Sequence, residues 1–169
     1  DENEELTLEN LKACRSIIDP QIKEFEGRIF YTAGDSVIAE FESPVECVNA
    51  AIAFQKAIND RNNSLNEVSR LDWRVGIHLD DVIIEGDNVY GNGVNIAARL
   101  ETACAPGQIL FSTAVQEQVN KRIDFTIEDA GTKSLKNIDD AFQVYGISPS
   151  GGKIVKTDAL KEKNTQEAI

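Results

Sequence analysis

Apolar and polar residues alternate strictly from position 71 to position 79, and this pattern constrains the fold more than any other in the chain. The apolar positions are Leu71, Trp73, Val75, Ile77 and Leu79. Successive side chains of a strand point to opposite faces of a sheet, so the segment predicts a strand with one buried face. A face of this kind has to be covered by a packed layer of other elements.

Helical periodicity supplies candidates for that layer. Apolar residues at steps of three and four predict a helix over residues 6–25, which Pro20 is expected to kink or restart. The sequence from Ser43 to Glu46 combines an N-cap residue, a first-turn proline and a capping box, so it predicts a second helix that ends near Asn59. These two helices can cover the buried face of the strand.

The remaining segments complete an α-β-β-α-β-β-α-β-α-β-β order. We expect a hairpin of 28–32 with 37–41, a loop over 60–70, and a strand at 82–85 that pairs with the 71–79 strand through a turn at Asp80 and Asp81. After these we expect a helix from about 93 to 104, a strand at 108–111 and a helix from Ser112 to about Val119. The last expected strands are 123–127 and 142–147. This order predicts an α+β sandwich with helices on one face of a mainly antiparallel sheet.

Two observations lead us to expect a further strand before the opening helix. The first hairpin would be more stable beside a parallel strand that feeds that helix, as in a β-α-β-β-α-β unit. The chain also contains no methionine and begins at Asp1, so we expect upstream residues that could supply this strand.

Composition and charge exclude several classes of function. The 169 residues have the size of one domain, and the net charge of −12 argues against a surface for nucleic acid or anionic membrane. We find no apolar run long enough to cross a bilayer and therefore expect no membrane insertion. Three widely spaced cysteines without a C-x-x-C motif argue against a zinc ribbon or a redox motif, and buried reduced thiols fit a cytoplasmic protein.

Candidate site residues cluster around a glycine-rich helix start. Gly91 and Gly93 precede Asn95 and Arg99, which are four residues apart and therefore share one helix face. An amide and a guanidinium near a helix N-terminus suit a phosphate, although such a pair more often lies on an ordinary solvated face. Asp35 follows Gly34 at the predicted hairpin tip, where it is either a ligand for a hard cation or plain turn chemistry.

Five segments in this order resemble the catalytic domain of class III adenylate/guanylate cyclases. They are GRIFYTAGD at 27–35, WRVGIH at 73–78, YGNGVNIAARLE at 90–101, APGQ at 105–108 and LKNI at 135–138. The resemblance covers roughly residues 5 to 147. It implies a ferredoxin-like antiparallel sheet with helices packed on it, in a cyclase-like domain at 1–147 followed by a polar linker or tail at 148–169.

The resemblance also implies an activity. A homodimer with two interface sites, each built from both chains, would convert ATP, or less readily GTP, into the 3′,5′-cyclic nucleotide and pyrophosphate. Asp35 matches the second metal aspartate for a pair of Mg²⁺ or Mn²⁺ ions, and the first would lie on the strand before the opening helix. Asn95 would orient the ribose, Arg99 would hold the phosphate, and Lys136 would contact the triphosphate.

The sequence departs from the family pattern at the base-reading positions. Tyr31 and Asn88 stand where adenylate-specific members have lysine and aspartate and guanylate-specific members have glutamate and cysteine. Asp80 replaces the usual hairpin glycine. A degenerate module that binds nucleotide or a partner domain without catalysis is therefore an alternative, and a purely structural dimerisation domain is a third. In each case we expect other domains to be fused to this one or to regulate it.

Overall fold

Helices and strands follow one another nearly in the order that the sequence predicts. The computed structural model describes residues 1–80, 83–85, 88–90, 92–134 and 141–156, with the backbone alone for 83–85 and 88–90. The helices are α1 (Glu2–Glu24), α2 (Pro44–Asn63), α3 (Asn92–Ala103) and α4 (Thr113–Val119), with a 3-10 turn at Glu67–Ser69. The strands are β1 (Arg28–Ala33), β2 (Ser36–Glu40), β3 (Val75–Ile77), β4 (Ile83–Glu85), β5 (Asn88–Tyr90), β6 (Ile109–Ser112), β7 (Glu128–Ser134) and β8 (Ala141–Ile147).

Within the described residues, the strands form one four-stranded sheet and two hairpins. The sheet has the order β3-β6-β8-β7, in which β3 runs parallel to β6 and the other pairs are antiparallel. β1 pairs with β2, and β4 pairs with β5, each antiparallel. The predicted pairing of the 71–79 strand with 82–85 is wrong, because β3 instead takes β6 as its partner and β4 forms a hairpin with β5.

The segment predicted as a long strand at 71–79 is extended only over Val75–Ile77. Side chains and loops, rather than a neighbouring strand, satisfy the backbone before it. The Gln55 amide and the backbone N–H of Gly107 both donate to the Trp73 carbonyl, and the Asn62 amide group bonds both backbone groups of Leu71. The alternating pattern therefore arises from the alternating burial of an irregular segment, residues 71–74, as well as of the strand β3.

The second helix extends further than the sequence indicates. Its start is as predicted, since the Ser43 hydroxyl accepts a hydrogen bond from the Glu46 backbone N–H. Its end lies at Asn63, so residues 60–63 are helical and not loop. Arg61 donates to the Asn10 side chain on α1, and Asn62 reaches Leu71, so bonds to distant segments hold the last turn in helical form.

The expected restart of the first helix at Pro20 is wrong, and so is the expected strand at 123–127. α1 is one helix that continues through Pro20 without restarting, because packing of its buried face against α2 holds both sides of the proline in register. Residues 123–127 form bends and irregular backbone and not a strand. Their apolar side chains Ile123, Phe125 and Ile127 nevertheless pack against the main core, and this burial produced the strand-like pattern.

Two apolar clusters form the core. The larger one joins α1, α2, α4 and the strands β3, β6 and β8, with Cys14, Val48, Phe111 and Val119 completely buried. The smaller one lies under α3 and contains Ile96, Leu100, Cys104, Leu110, Ala130, Val144 and Ile154. The second cluster positions α3 against the four-stranded sheet.

The chain beyond β8 stays in contact with the sheet as far as it is described. Ile154 is buried in the smaller cluster, and its backbone N–H donates to the Glu128 carboxylate. The Lys153 carbonyl accepts a hydrogen bond from the Gln108 amide. Within the described ranges, no helix combines the length and the apolar character needed to cross a membrane.

Replacement of Gly76 by alanine should cost about 2 kcal/mol or more of unfolding free energy, because a Cβ atom there would overlap backbone atoms of Ala97 and Glu101 in α3. Backbone atoms cannot turn aside as a flexible side chain can. Chemical denaturation measures the loss.

Gly152→Ala is the matched control, since a Cβ atom at that position meets only the Ser148 hydroxyl, at 3.3 Å. We expect a change within about 0.5 kcal/mol for this variant. Equal, small losses in the two variants would contradict the close docking of α3 on β3.

Candidate active site

α3 presents three different faces to its surroundings. Gly93, Ile96 and Leu100 are buried against the sheet. Val94, Ala97, Ala98 and Glu101 line a cleft described below. Asn95 and Arg99 lie between these two faces, with Asn95 exposed and Arg99 half-buried, so the pair shares one outward face as the spacing predicts.

Close contacts with β3 fix the rotation of α3. A side chain at Gly76 would strike the helix backbone, and a Cβ atom at Gly93 would lie 2.8 Å from the Asp80 Cβ and 3.6 Å from the His78 Cδ2. Glycine at both positions lets the helix lie directly on the strand and on the segment that follows it. The direction of Asn95 and Arg99 is therefore set by contacts on the opposite side of the helix.

Asp35 and Tyr31 lie on the first hairpin. Gly34 adopts a φ of 55° in the turn, and Asp35 follows it as an exposed residue. The pairing register of β1 shifts between Ile29 and Tyr31, and the Tyr31 side chain is 52% exposed. The turn thus presents the Asp35 carboxylate to solvent, and the phenol of Tyr31 is available to a ligand.

The other residues named from the sequence are described in part or not at all. Asn88 opens β5, which lies in contact with β1, so the strands that carry Tyr31 and Asn88 are neighbours. The side chain of Asn88 is outside the described part of the structure, and so is the whole of Lys136. Asp81, expected in a turn, also lies outside it.

A cleft of about 630 Å³ separates the first hairpin from the four-stranded sheet. β2 and β3 both line it, and α1, α2 and α3 contribute apolar side chains, among them Ile18, Ile22 and Phe54. Within the described ranges β2 pairs only with β1, and β3 pairs only with β6. The cleft therefore has one strand edge with open hydrogen-bonding groups on either side.

Asp35 lies at this cleft, whereas Asn95 and Arg99 are not among the residues that line it. The chain therefore does not bring the candidate metal ligand and the candidate phosphate ligands into one cavity. Among the residues that the structure describes, no group of three or more metal-ligating side chains is found. A divalent cation takes about six oxygen ligands, so Asp35 fits one position of such a site and needs partners from elsewhere.

The buried titratable groups around the site are unsuited to covalent chemistry. Burial raises the pKa of the Cys47 thiol to about 12 and that of Cys104 to about 11. Both thiols are therefore protonated near neutral pH and are poor nucleophiles. The three cysteines are free, as the sequence analysis expects.

His78 is a residue of interest that the sequence pattern does not single out. The His78 Nδ1 lies 2.7 Å from the Ser112 hydroxyl oxygen, and its Nε2 lies 3.8 Å from a carboxylate oxygen of Asp80. Burial lowers the pKa of the imidazole, and the charge of Asp80 opposes part of that shift. Pairing of β3 with β6, which the sequence did not indicate, brings these groups together.

Comparisons with known proteins place the chain in a family. The family model described as "Adenylate and Guanylate cyclase catalytic domain" matches residues 4–149. "Putative adenylate cyclase 3" of Rhizobium meliloti is 35% identical over 135 residues, which are 80% of this chain and 23% of that protein. The serine/threonine-protein kinase pkn2 of Myxococcus xanthus is 29% identical over 80% of this chain and 16% of its own length.

Solved structures show the same fold. The crystal structure of an adenylate/guanylate cyclase/hydrolase from Silicibacter pomeroyi matches with a TM-score of 0.78 and 31% identity, over 85% of this chain and 86% of that one. The chain spans a quarter or less of the length of the two curated relatives above. Because the family model matches residues 4–149 and a relative is 35% identical over 80% of the chain, the chain belongs to the adenylate and guanylate cyclase catalytic domain family.

Proposed function

We propose that this domain is a nucleotidyl cyclase that uses ATP in preference to GTP. The observation that carries the proposal is the outward face of α3, where Asn95 and Arg99 project from a helix held rigidly on β3. A relative named as an adenylate cyclase, 35% identical, supports ATP as the substrate. Family membership supports nucleotide cyclisation as the reaction, and the Asn95 amide and the Arg99 guanidinium are groups that this reaction needs.

The reaction is an in-line displacement at phosphorus. The ribose 3′-hydroxyl loses its proton and bonds to the α-phosphorus, while the bond from that phosphorus to the bridging oxygen breaks and releases pyrophosphate. Asn95 orients the ribose through its amide, and the Arg99 guanidinium stabilises the negative charge that moves toward the leaving group. We assign Lys136 to the triphosphate, where an ammonium group offsets phosphate charge.

The site requires two chains. Asp35 lies at the cleft and Asn95 and Arg99 on another face of α3, so one chain does not gather them into a single pocket. A homodimer in which Asp35 of one chain faces Asn95 and Arg99 of the other would do so, with two equivalent sites by symmetry. Tyr31 and Asn88, on neighbouring strands, would contact the base through neutral hydrogen-bonding groups.

A strand in the cleft would complete the metal site. The two open strand edges and the apolar lining suit one extended segment, and we propose that a strand joined to the start of α1 fills the position. An aspartate on it would join Asp35 and the triphosphate oxygens in holding two Mg²⁺ or Mn²⁺ ions. Such ions would supply charge stabilisation at the triphosphate.

We also propose that the domain is part of a larger protein and that it lies in the cytoplasm. The domain covers a small share of its curated relatives, so we propose that other domains are fused to it and regulate it. Buried free thiols favour a reducing compartment, and we place the domain in the cytoplasm.

A nucleotide-binding module without catalysis is the second candidate, and Tyr31 favours it. A half-exposed phenol stands at the base-reading position and carries no charge with which to select adenine or guanine. Calorimetry with ATP, combined with product analysis over a long incubation, separates the two functions. Binding without any cyclic nucleotide would favour the module.

Arg99→Ala and Asn95→Ala should each lower kcat for cyclic AMP formation by about a hundredfold or more, because each removes a contact that strengthens in the transition state. Since both residues lie on the outward face of α3, the free energy of unfolding should change little. The assay uses Mn²⁺ and ATP with a chain that includes the segment preceding Asp1.

The matched controls are Arg15→Ala and Thr102→Ala. Arg15 is a guanidinium paired with Asp19 on α1, and the Thr102 hydroxyl bonds a carbonyl of α3 itself. Both control variants should retain normal turnover. Normal turnover in the Arg99 and Asn95 variants would refute the assignment.

Filling of the cleft should be visible through Trp73, the single tryptophan of the chain, which lines it. In a chain that includes the segment preceding Asp1, we expect its emission to shift to the blue and acrylamide quenching to fall, because a strand would exclude water from the indole. Val155→Asp, a substitution at an exposed residue outside the cleft, should leave the shift unchanged. Identical spectra of the short and extended chains would refute the strand.

A further inference from the structure

His78 lies where three elements of the fold meet. It follows the last residue of β3, and its Nδ1 is 2.7 Å from the hydroxyl of Ser112, the last residue of β6. The first turn of α3 passes close to the same ring, as a Cβ atom placed at Gly93 would come within 3.6 Å of the His78 Cδ2. A movement of this ring would therefore be felt by both the sheet and the helix.

The surroundings restrict the ring on each side. Ser112 is 2% exposed, so its hydroxyl has His78 as a hydrogen-bond partner in a place that water reaches poorly. Phe142 on β8 meets the ring edge-to-face, with centroids 6.4 Å apart. The Asp80 carboxylate lies 3.8 Å from Nε2, on the side where α3 begins.

The start of α3 matters because the candidate catalytic residues follow it directly. Asn95 is two residues beyond Gly93, and Arg99 is one helical turn further. A misplacement of about 1 Å in a positioning element can cost about a hundredfold in rate. The contacts of His78 are thus close enough in the chain to govern where both side chains point.

We propose that His78 is a positioning residue. It contacts Ser112 on one side and lies beside Asp80 and Gly93 on the other, and it thereby fixes the position of the first turn of α3. The position of that turn in turn sets the direction in which Asn95 and Arg99 project. The expected effect of this role on turnover rests on the proposed cyclase function. The geometric part, that His78 holds the helix start, is independent of any activity.

The test compares substitutions that keep or remove the Nδ1 contact. His78→Phe keeps an aromatic ring against Phe142 and removes the bond to Ser112, whereas His78→Asn places an amide atom near the former Nδ1. Ser112→Ala removes the same bond from the other side. Val48→Ala, in the main core on α2, provides a control that lowers stability away from α3.

We expect His78→Phe and Ser112→Ala to lower kcat by about tenfold or more with KM changed by less than about threefold, because binding groups remain and only their alignment is lost. His78→Asn should restore most of the turnover. The double variant should lose no more than either single variant, since both remove one bond. Val48→Ala should keep its kcat at temperatures where it is folded.

Hydrogen exchange supplies the measurement that does not depend on activity. In His78→Phe and Ser112→Ala, amides of residues 96–100 in α3 should exchange about fivefold or more faster than in the unmodified chain, relative to amides of α1. In Val48→Ala this ratio should stay the same. If the unmodified chain makes no cyclic nucleotide, the proposed function fails, while the exchange ratio still tests the positioning role.

Two results would overturn the inference. One is an unchanged exchange ratio in both His78→Phe and Ser112→Ala. The other is a loss of kcat in those variants that Val48→Ala reproduces and His78→Asn does not relieve, since such a loss would reflect lower stability alone.

Discussion

The contact of α3 with β3 is the constraint on which the rest of the candidate site depends. Gly76 lets the backbone of β3 lie directly against the backbone of α3, and Gly93 lets the first turn of the helix approach the side chains of Asp80 and His78. The contact at Gly76 tolerates little rotation, because backbone atoms have no rotamers with which to adjust. The contact between α3 and β3 therefore sets the direction of Asn95 and Arg99, although neither of these two residues takes part in that contact.

The division of α3 into three faces is also the basis of our proposal that the site needs two chains. The face toward the core is used for folding, and the face toward the cleft shares a cavity with Asp35. The third face, with Asn95 and Arg99, points elsewhere. If the domain is a cyclase, as we propose, a second copy supplies the missing half, and the two halves gain their chemistry only in the dimer.

The sequence predicted local features well where local interactions decide them. The capped start of α2 is confirmed down to the Ser43–Glu46 hydrogen bond, and Asn95 and Arg99 do share one outward helix face. The predictions are wrong where residues distant in the sequence supply the partners of backbone hydrogen bonds or bury an irregular segment. Gln55 and Asn62 bond residues 71–73 in place of a neighbouring strand, and burial of the irregular segment at 123–127 gave it a strand-like pattern. No local pattern encodes such long-range partners.

Pairing between the two halves of the site is the central claim, and complementation tests it most directly. Chains that carry Asp35→Ala or Arg99→Ala, each with the segment preceding Asp1, should be nearly inactive as separate homodimers. After the two are mixed and allowed to exchange subunits, half of the dimers pair unlike chains and each has one intact site, so about a quarter of normal cyclic AMP formation should return. A mixture as inactive as its components, although exchange has taken place, would contradict a site shared between chains.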